Sequence, residues 1–124
     1  MRLIKKIVGV KVAGCLFQFR QALMKKISKL GLKNNYLRNI EFKKWVSKIM
    51  ALPLLKIIDV ENVCQNLVDD AEKSSFFSGE VDSFLKYLES VWFGRNATYK
   101  IEVWNFYRLL TRTNNPKFQK ANDN

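Results

Sequence analysis

The side chains that could do chemistry in this 124-residue chain are few and poorly spaced for it. There is no histidine, which removes imidazole general bases, Ser-His and Cys-His nucleophile activation, and every zinc site that needs an imidazole ligand. The two cysteines, Cys15 and Cys64, are far apart and each lies inside an apolar pattern, so both read as buried reduced thiols. Asp69, Asp70 and Glu72 sit together, but adjacent positions on one helix point in different directions and cannot converge on one metal ion. Glu80 and Asp82 read as residues that complement a helix N-terminus. The five glycines, Gly9, Gly14, Gly31, Gly79 and Gly94, are scattered, so no phosphate-cradling loop is present. Neither composition nor spacing supports catalysis, and no cofactor, metal or small-molecule substrate is expected.

Charge is the stronger signal. The chain carries 22 Lys and Arg against 11 Asp and Glu, a formal charge of +11, which favours association with polyanions at low salt. Residues 1–56 hold 14 basic and 1 acidic side chains, residues 57–93 hold 2 and 8, and residues 94–124 hold 6 and 2. The basic first part suits a phosphate backbone and the acidic middle does not. Equally, the lysine-rich faces could simply be solvated and pair with the acidic segment. Apolar residues at 48% are too many for a disordered basic tail.

The elements that must position these charges are mostly helices. Val8, Val10 and Val12 alternate with Gly9 and Lys11, which predicts one short strand ending at Gly14. From there Leu16, Phe19, Leu23, Ile27 and Leu30 share a helical face, with Arg20, Lys25, Lys26 and Lys29 largely elsewhere, until Gly31 supplies a left-handed stop. A second helix is expected from an Asn39 N-cap, burying Phe42, Trp45, Val46 and Ile49 before Pro53, with Lys43, Lys44 and Lys48 outward. A third opens at Asp59, buries Val60, Val63, Cys64, Leu67 and Val68, and should fray where Asp69, Asp70 and Glu72 oppose its dipole. After a loop from Ser74 to Gly79, a fourth carries Val81, Phe84, Leu85, Leu88 and Trp92 and closes at Gly94. Residues from Tyr99 to Leu110 alternate like a strand and repeat like a helix, and the short helix is favoured. Trp45, Trp92 and Trp104 fall on apolar stripes, as core residues rather than exposed stacking platforms. The expected fold is mainly α: a single, bundle-like helical unit over residues 1–111 with one short N-terminal strand, and a polar tail over 112–124.

Targeting signals are weak. Met1 to Lys6 resembles a basic leader and Val12-Ala13-Gly14-Cys15 resembles a lipoprotein cleavage box, but Lys11 cuts the apolar run to Ile7 through Val10, shorter than a leader needs. Asn96-Ala97-Thr98 matches a glycosylation sequon by composition alone. No apolar run is long enough to span a bilayer, so no membrane partner is expected.

Four segments in order carry a family resemblance: Gly14-Cys15-Leu16-Phe17-Gln18-Phe19 with Gln21-Ala22-Leu23 and Gly31-Leu32; Met50-Ala51-Leu52-Pro53; Val103-Trp104-Asn105-Phe106-Tyr107; and Arg112-Thr113-Asn114-Asn115. Over about residues 8 to 115 the chain resembles the C-terminal part of the catalytic domain of Mutator-like element transposases. That resemblance implies the helical insertion and C-terminal part of an RNase H-like core, whose two aspartates and one glutamate hold divalent metal against a DNA phosphodiester. It places both aspartates upstream of Met1, puts Phe118 where the glutamate falls and Gln18 where the family has histidine, and leaves Cys15 and the turn Arg112, Thr113, Asn114 and Asn115 as carried-over residues.

The expected function is therefore a non-catalytic transposase remnant with weak, salt-sensitive DNA binding. Its expected nucleic-acid contacts are Arg20, Lys25, Lys26 and Lys29, with Arg112, Thr113, Asn114 and Asn115 from the turn. A small basic helical module for protein partners is the alternative. The strand at Val8 to Val12, lacking sheet neighbours, would offer an edge to a protein partner and make the purified chain poorly monodisperse. An intracellular, nuclear location follows from the resemblance.

Overall fold

The computed structural model describes residues 2–107 and, within the first helix, the side chains from Leu16 onward. The polar tail over 112–124 lies outside the described residues. All regular elements among those described are helical: α1 (Arg2–Lys29), α2 (Lys33–Arg38), α3 (Ile40–Met50), α4 (Ile57–Lys73), α5 (Gly79–Leu88) and α6 (Ile101–Trp104). A 3-10 turn at Leu52–Leu54 follows α3, and a π turn at Glu89–Phe93 extends α5.

The N-terminal strand is the main correction. Val8, Val10 and Val12 lie inside α1, and the helix runs through Gly9 and Gly14 without a break. Three alternating β-branched residues are a weak strand signal. A lone strand also leaves its N–H and C=O groups unpaired, whereas a helix satisfies them within itself. The protein contact expected through a strand edge, and the poor monodispersity expected from it, lose their basis with the strand.

The helix ends follow local chemistry. α1 closes in a Schellman turn: Gly31 takes φ 78°, the Leu32 N–H donates to the Ile27 carbonyl at 2.9 Å and the Gly31 N–H to Ser28 at 3.1 Å, with Leu32 and Ile27 both buried. Asn39 ends α2 and begins α3, its side-chain oxygen accepting from the Glu41 and Phe42 N–H groups at 3.0 and 3.1 Å. Pro53 sits in the 3-10 turn that follows α3. α4 begins at Ile57, two residues ahead of Asp59, which places that carboxylate in the first turn beside the positive end of the helix dipole. Its acidic end does not fray: the helix continues to Lys73, with Ala71 buried and the Ser74 hydroxyl donating to the Ala71 carbonyl at 2.7 Å. Ser78 caps α5 through the Val81 N–H at 3.2 Å.

One contiguous core joins the elements. Phe19, Leu23 and Ile27 of α1 meet Phe42, Trp45, Val46 and Ile49 of α3, Val60 and Leu67 of α4, and Val81, Phe84 and Leu88 of α5. The tryptophans are buried with their polar tips satisfied. Trp45 Nε1 donates to the Leu67 carbonyl at 2.8 Å, Trp92 Nε1 to the Tyr87 hydroxyl at 3.1 Å, and Trp104 Nε1 to the Trp92 carbonyl at 3.1 Å. Val63, Cys64 and Val68, read as core, are only half-buried on the flank of α4.

The π turn changes the phase of α5 just before the chain turns back. The Gly94 N–H closes it onto the Glu89 carbonyl at 2.7 Å, and the returning segment donates from Thr98 to Ser90 at 3.1 Å and from Tyr99 to Val91 at 2.9 Å. A Cβ at Gly94 would lie 2.5 Å from the Glu89 carbonyl oxygen. Gly94→Ala must therefore open this closure. The variant is expected to lose about 1–3 kcal/mol of stability in urea unfolding followed by circular dichroism, and an unchanged midpoint would contradict the close approach.

Candidate nucleic-acid interface

The described residues expected to touch nucleic acid divide between exposed and engaged positions. On α1, Lys25 and Lys29 are exposed, but Arg20 and Lys26 sit at the margins of the buried stripe and are engaged within the chain. Arg20 Nε donates to the Met50 carbonyl at 3.3 Å, tying α1 to the end of α3. Lys26 Nζ lies 5.2 Å from the centre of the Tyr87 ring, a cation–π contact with α5. Arg112, Thr113, Asn114 and Asn115 lie outside the described residues.

Other cations surround this helix. Lys44 and Lys48 are exposed on α3, as their spacing implies, while Lys43 lies over the Tyr36 ring at 5.7 Å. α2 adds Lys33 and Arg38, both exposed. This short helix was not legible in sequence, because six residues between Gly31 and Asn39 hold too little periodicity to read. The outer face of α1 also holds Gln18, Gln21 and Ser28, all exposed. The signal that finds them is their placement opposite Phe19, Leu23 and Ile27 at helical spacing.

Basic and acidic faces do not neutralise each other. Among the described residues the ion pair present is Lys86 with Asp82, at 3.2 Å and four residues apart on α5, a local surface pair of small energetic weight. The exposed acids of α4, Glu61, Asp69, Asp70 and Glu72, meet no described lysine or arginine of α1 or α3 in an ion pair. Among the described residues the lysine-rich faces do not pair with the acidic segment.

Among the described residues, the segments that carry the family resemblance, or residues flanking them, make three contacts with one another. Phe19 stacks on Trp104 with ring centres 5.1 Å apart and planes 12° apart. Arg20 reaches Met50, and the buried Asn105 donates from Nδ2 to the Leu55 carbonyl at 2.8 Å, just past Pro53. These contacts are packing and backbone satisfaction, without a nucleophile, a base or a hydrogen-bonded catalytic pair among them.

Elsewhere, an open groove of about 590 Å3 is lined by Asn34, Asn35, Arg38, Asn39, Ile40, Glu41 and Ser75. Its polar groups are partly engaged, since Asn39 caps α3 and the Ser75 hydroxyl donates to Glu41 at 3.1 Å. Among the described residues no group of three His, Cys, Asp or Glu side chains could hold a metal ion, and no helix is long and apolar enough to cross a membrane.

Burial and, secondarily, the Glu61 carboxylate push the Cys64 thiol up to about 12 from 9.0, so it stays protonated and unreactive at neutral pH. Because the folded state holds the proton more tightly, this thiol stabilises the fold below about pH 9 and that contribution disappears as pH rises towards 12. In a Cys15→Ser background, Cys64 is expected to resist maleimide at pH 8 and to react at once in denaturant; rapid labelling of the folded chain would contradict this. Comparison with protein-family models finds no match, and comparisons with curated proteins and with solved structures find none either.

Proposed function

We propose that the chain is a non-catalytic remnant of a Mutator-like DNA transposase, corresponding to the helical insertion and C-terminal part of an RNase H-like core, whose activity is weak, salt-sensitive DNA binding. The observation that carries the DNA-binding part is the segregation of charge: exposed lysines on α1 and α3 face solvent without ion-pair partners among the described residues. Such cations release condensed counterions when they meet phosphate, which favours binding in proportion to the phosphates contacted. The transposase part is supported by the Phe19–Trp104 stack, which joins two of the matched segments, while Arg20 and Leu55, which flank matched segments, bond to Met50 and Asn105. A box that recurs for packing reasons should do this. The absence of catalysis rests on the resemblance, which puts Phe118 at the glutamate position, and a nuclear location belongs to the same proposal.

A second reading, a helical module for protein partners, is favoured by α4, whose exposed side holds Glu61, Asp69, Asp70 and Glu72 alongside an Ile58 that is 82% exposed. Salt titration of DNA binding separates the two. Fluorescence polarisation on a labelled duplex between 50 and 200 mM salt is expected to give a linear fall in log affinity against log salt, with a slope of about −0.9 per phosphate contacted. A flat response, or no binding at the lowest salt, would favour the protein-partner module. The same preparations are expected to leave supercoiled DNA intact in magnesium or manganese, and nicking that co-purifies with the chain would overturn the non-catalytic reading.

A further inference from the structure

Among the cationic surfaces, α1 stands apart. It spans Arg2–Lys29 without a single aspartate or glutamate, and the first acid in the chain is Glu41. Its buried stripe of Phe19, Leu23 and Ile27 fixes which side faces out. On the opposite side Gln18, Gln21, Lys25, Ser28 and Lys29 are all exposed and share one helical face. The two cations at the margins, Arg20 and Lys26, are drawn inward to Met50 and Tyr87, which leaves the outer face to amides, a hydroxyl and two lysines, with the exposed Phe17 ring at its edge.

We infer that this outer face of α1 is a docking surface for double-stranded DNA, seated in the major groove. The inference rests on the DNA-binding reading and names its surface. The charge is complementary over the described face, where Lys25 and Lys29 are exposed and no acid stands beside them, and a helix about 10–12 Å across fits a groove about 12 Å wide. The side chains suit base edges as well as phosphate: a glutamine amide pairs with adenine at its N6 and N7 positions, lysine with guanine or phosphate, and serine with either. α3, which also carries exposed lysines, lacks this set. Its Lys43 lies over Tyr36, its Ser47 hydroxyl donates back to the Lys43 carbonyl at 2.9 Å, and Glu41 shares its first turn.

The test compares three double variants of the full chain, Lys25→Gln with Lys29→Gln, Lys44→Gln with Lys48→Gln, and Gln18→Ala with Gln21→Ala, by polarisation on duplex and on single-stranded DNA of equal length. All six positions are exposed, and circular dichroism confirms folding. The α1 lysine pair is expected to make the salt slope shallower by about 2 and to lower duplex affinity by at least about 10-fold in 0.1 M salt, with the α3 pair changing affinity less than about 3-fold. The glutamine pair is expected to keep the slope and lose any preference between A·T-rich and G·C-rich duplexes. Equal losses from both lysine pairs would leave DNA binding standing and remove α1 as its surface. Tighter binding to single strands than to duplex would overturn groove docking, and no binding by the unaltered chain would overturn the DNA-binding reading and this inference together.

Discussion

Phe19 is the point on which the molecule turns. Its ring lies against Trp104, nearly parallel at 5.1 Å, and meets Trp92 edge-on at 5.0 Å and 85°. Three elements distant in sequence, α1, the π turn and α6, are joined at one buried side chain. Each aromatic pair adds about 0.5–1.5 kcal/mol beyond the area it buries. The indole N–H of Trp104 then bonds to the Trp92 and Tyr99 carbonyls at 3.1 and 3.3 Å, so the stacked ring is held in orientation as well as in contact. Because Phe19 fixes the inward side of α1, it also fixes which residues of that helix meet solvent.

A second aromatic group, Phe42, Trp45, Phe76 and Phe84, fills the space between α3, α4 and α5. Tyr87 connects the two groups, stacking near Phe84 and accepting the Trp92 indole hydrogen bond. The π turn makes this possible. One extra residue in the helical repeat at Glu89–Phe93 sets the phase at which Trp92 reaches both Phe19 and Tyr87. The glycine that ends the turn is needed because the carbonyl it closes upon leaves no room for a side chain.

Much of this plan was legible, for local reasons. Gly31 and Asn39 act where they stand, because capping and left-handed turns are decided by a few neighbouring residues. The core stripes of α3 and α5 follow from spacing alone. The strand at Val8 to Val12 misled because side-chain alternation over five residues says nothing about whether a partner strand exists, and helix is the state that needs none. The π turn had no signal, since its hydrogen bonds depend on the segment folding back over it. The candidate interface was half legible for a related reason. Lys25 and Lys29 point outward by spacing, but the fate of Arg20 and Lys26 depends on Met50 and Tyr87, which lie far away in sequence. Gln18 and Gln21 entered only through the family resemblance, and their place on the outer face follows from the buried stripe opposite them.

The separation of charges has a consequence for how salt acts on this protein. A fold held by intrachain ion pairs between its basic and acidic segments would loosen as salt rises. Here the described residues show one exposed local pair, which contributes about 0.3–0.5 kcal/mol at most, while the buried aromatic and aliphatic groups carry the packing. Screening over a Debye length of about 10 Å at 0.1 M therefore acts mainly on what the outer faces attract and hardly on the core. Like charges crowded on α1 repel one another in the free chain, and an anionic partner relieves that repulsion as it binds. The same lysines that add little to folding are thus the ones with most to gain from a partner, which is why the surface left by Phe19 burial is also the surface where function is to be sought.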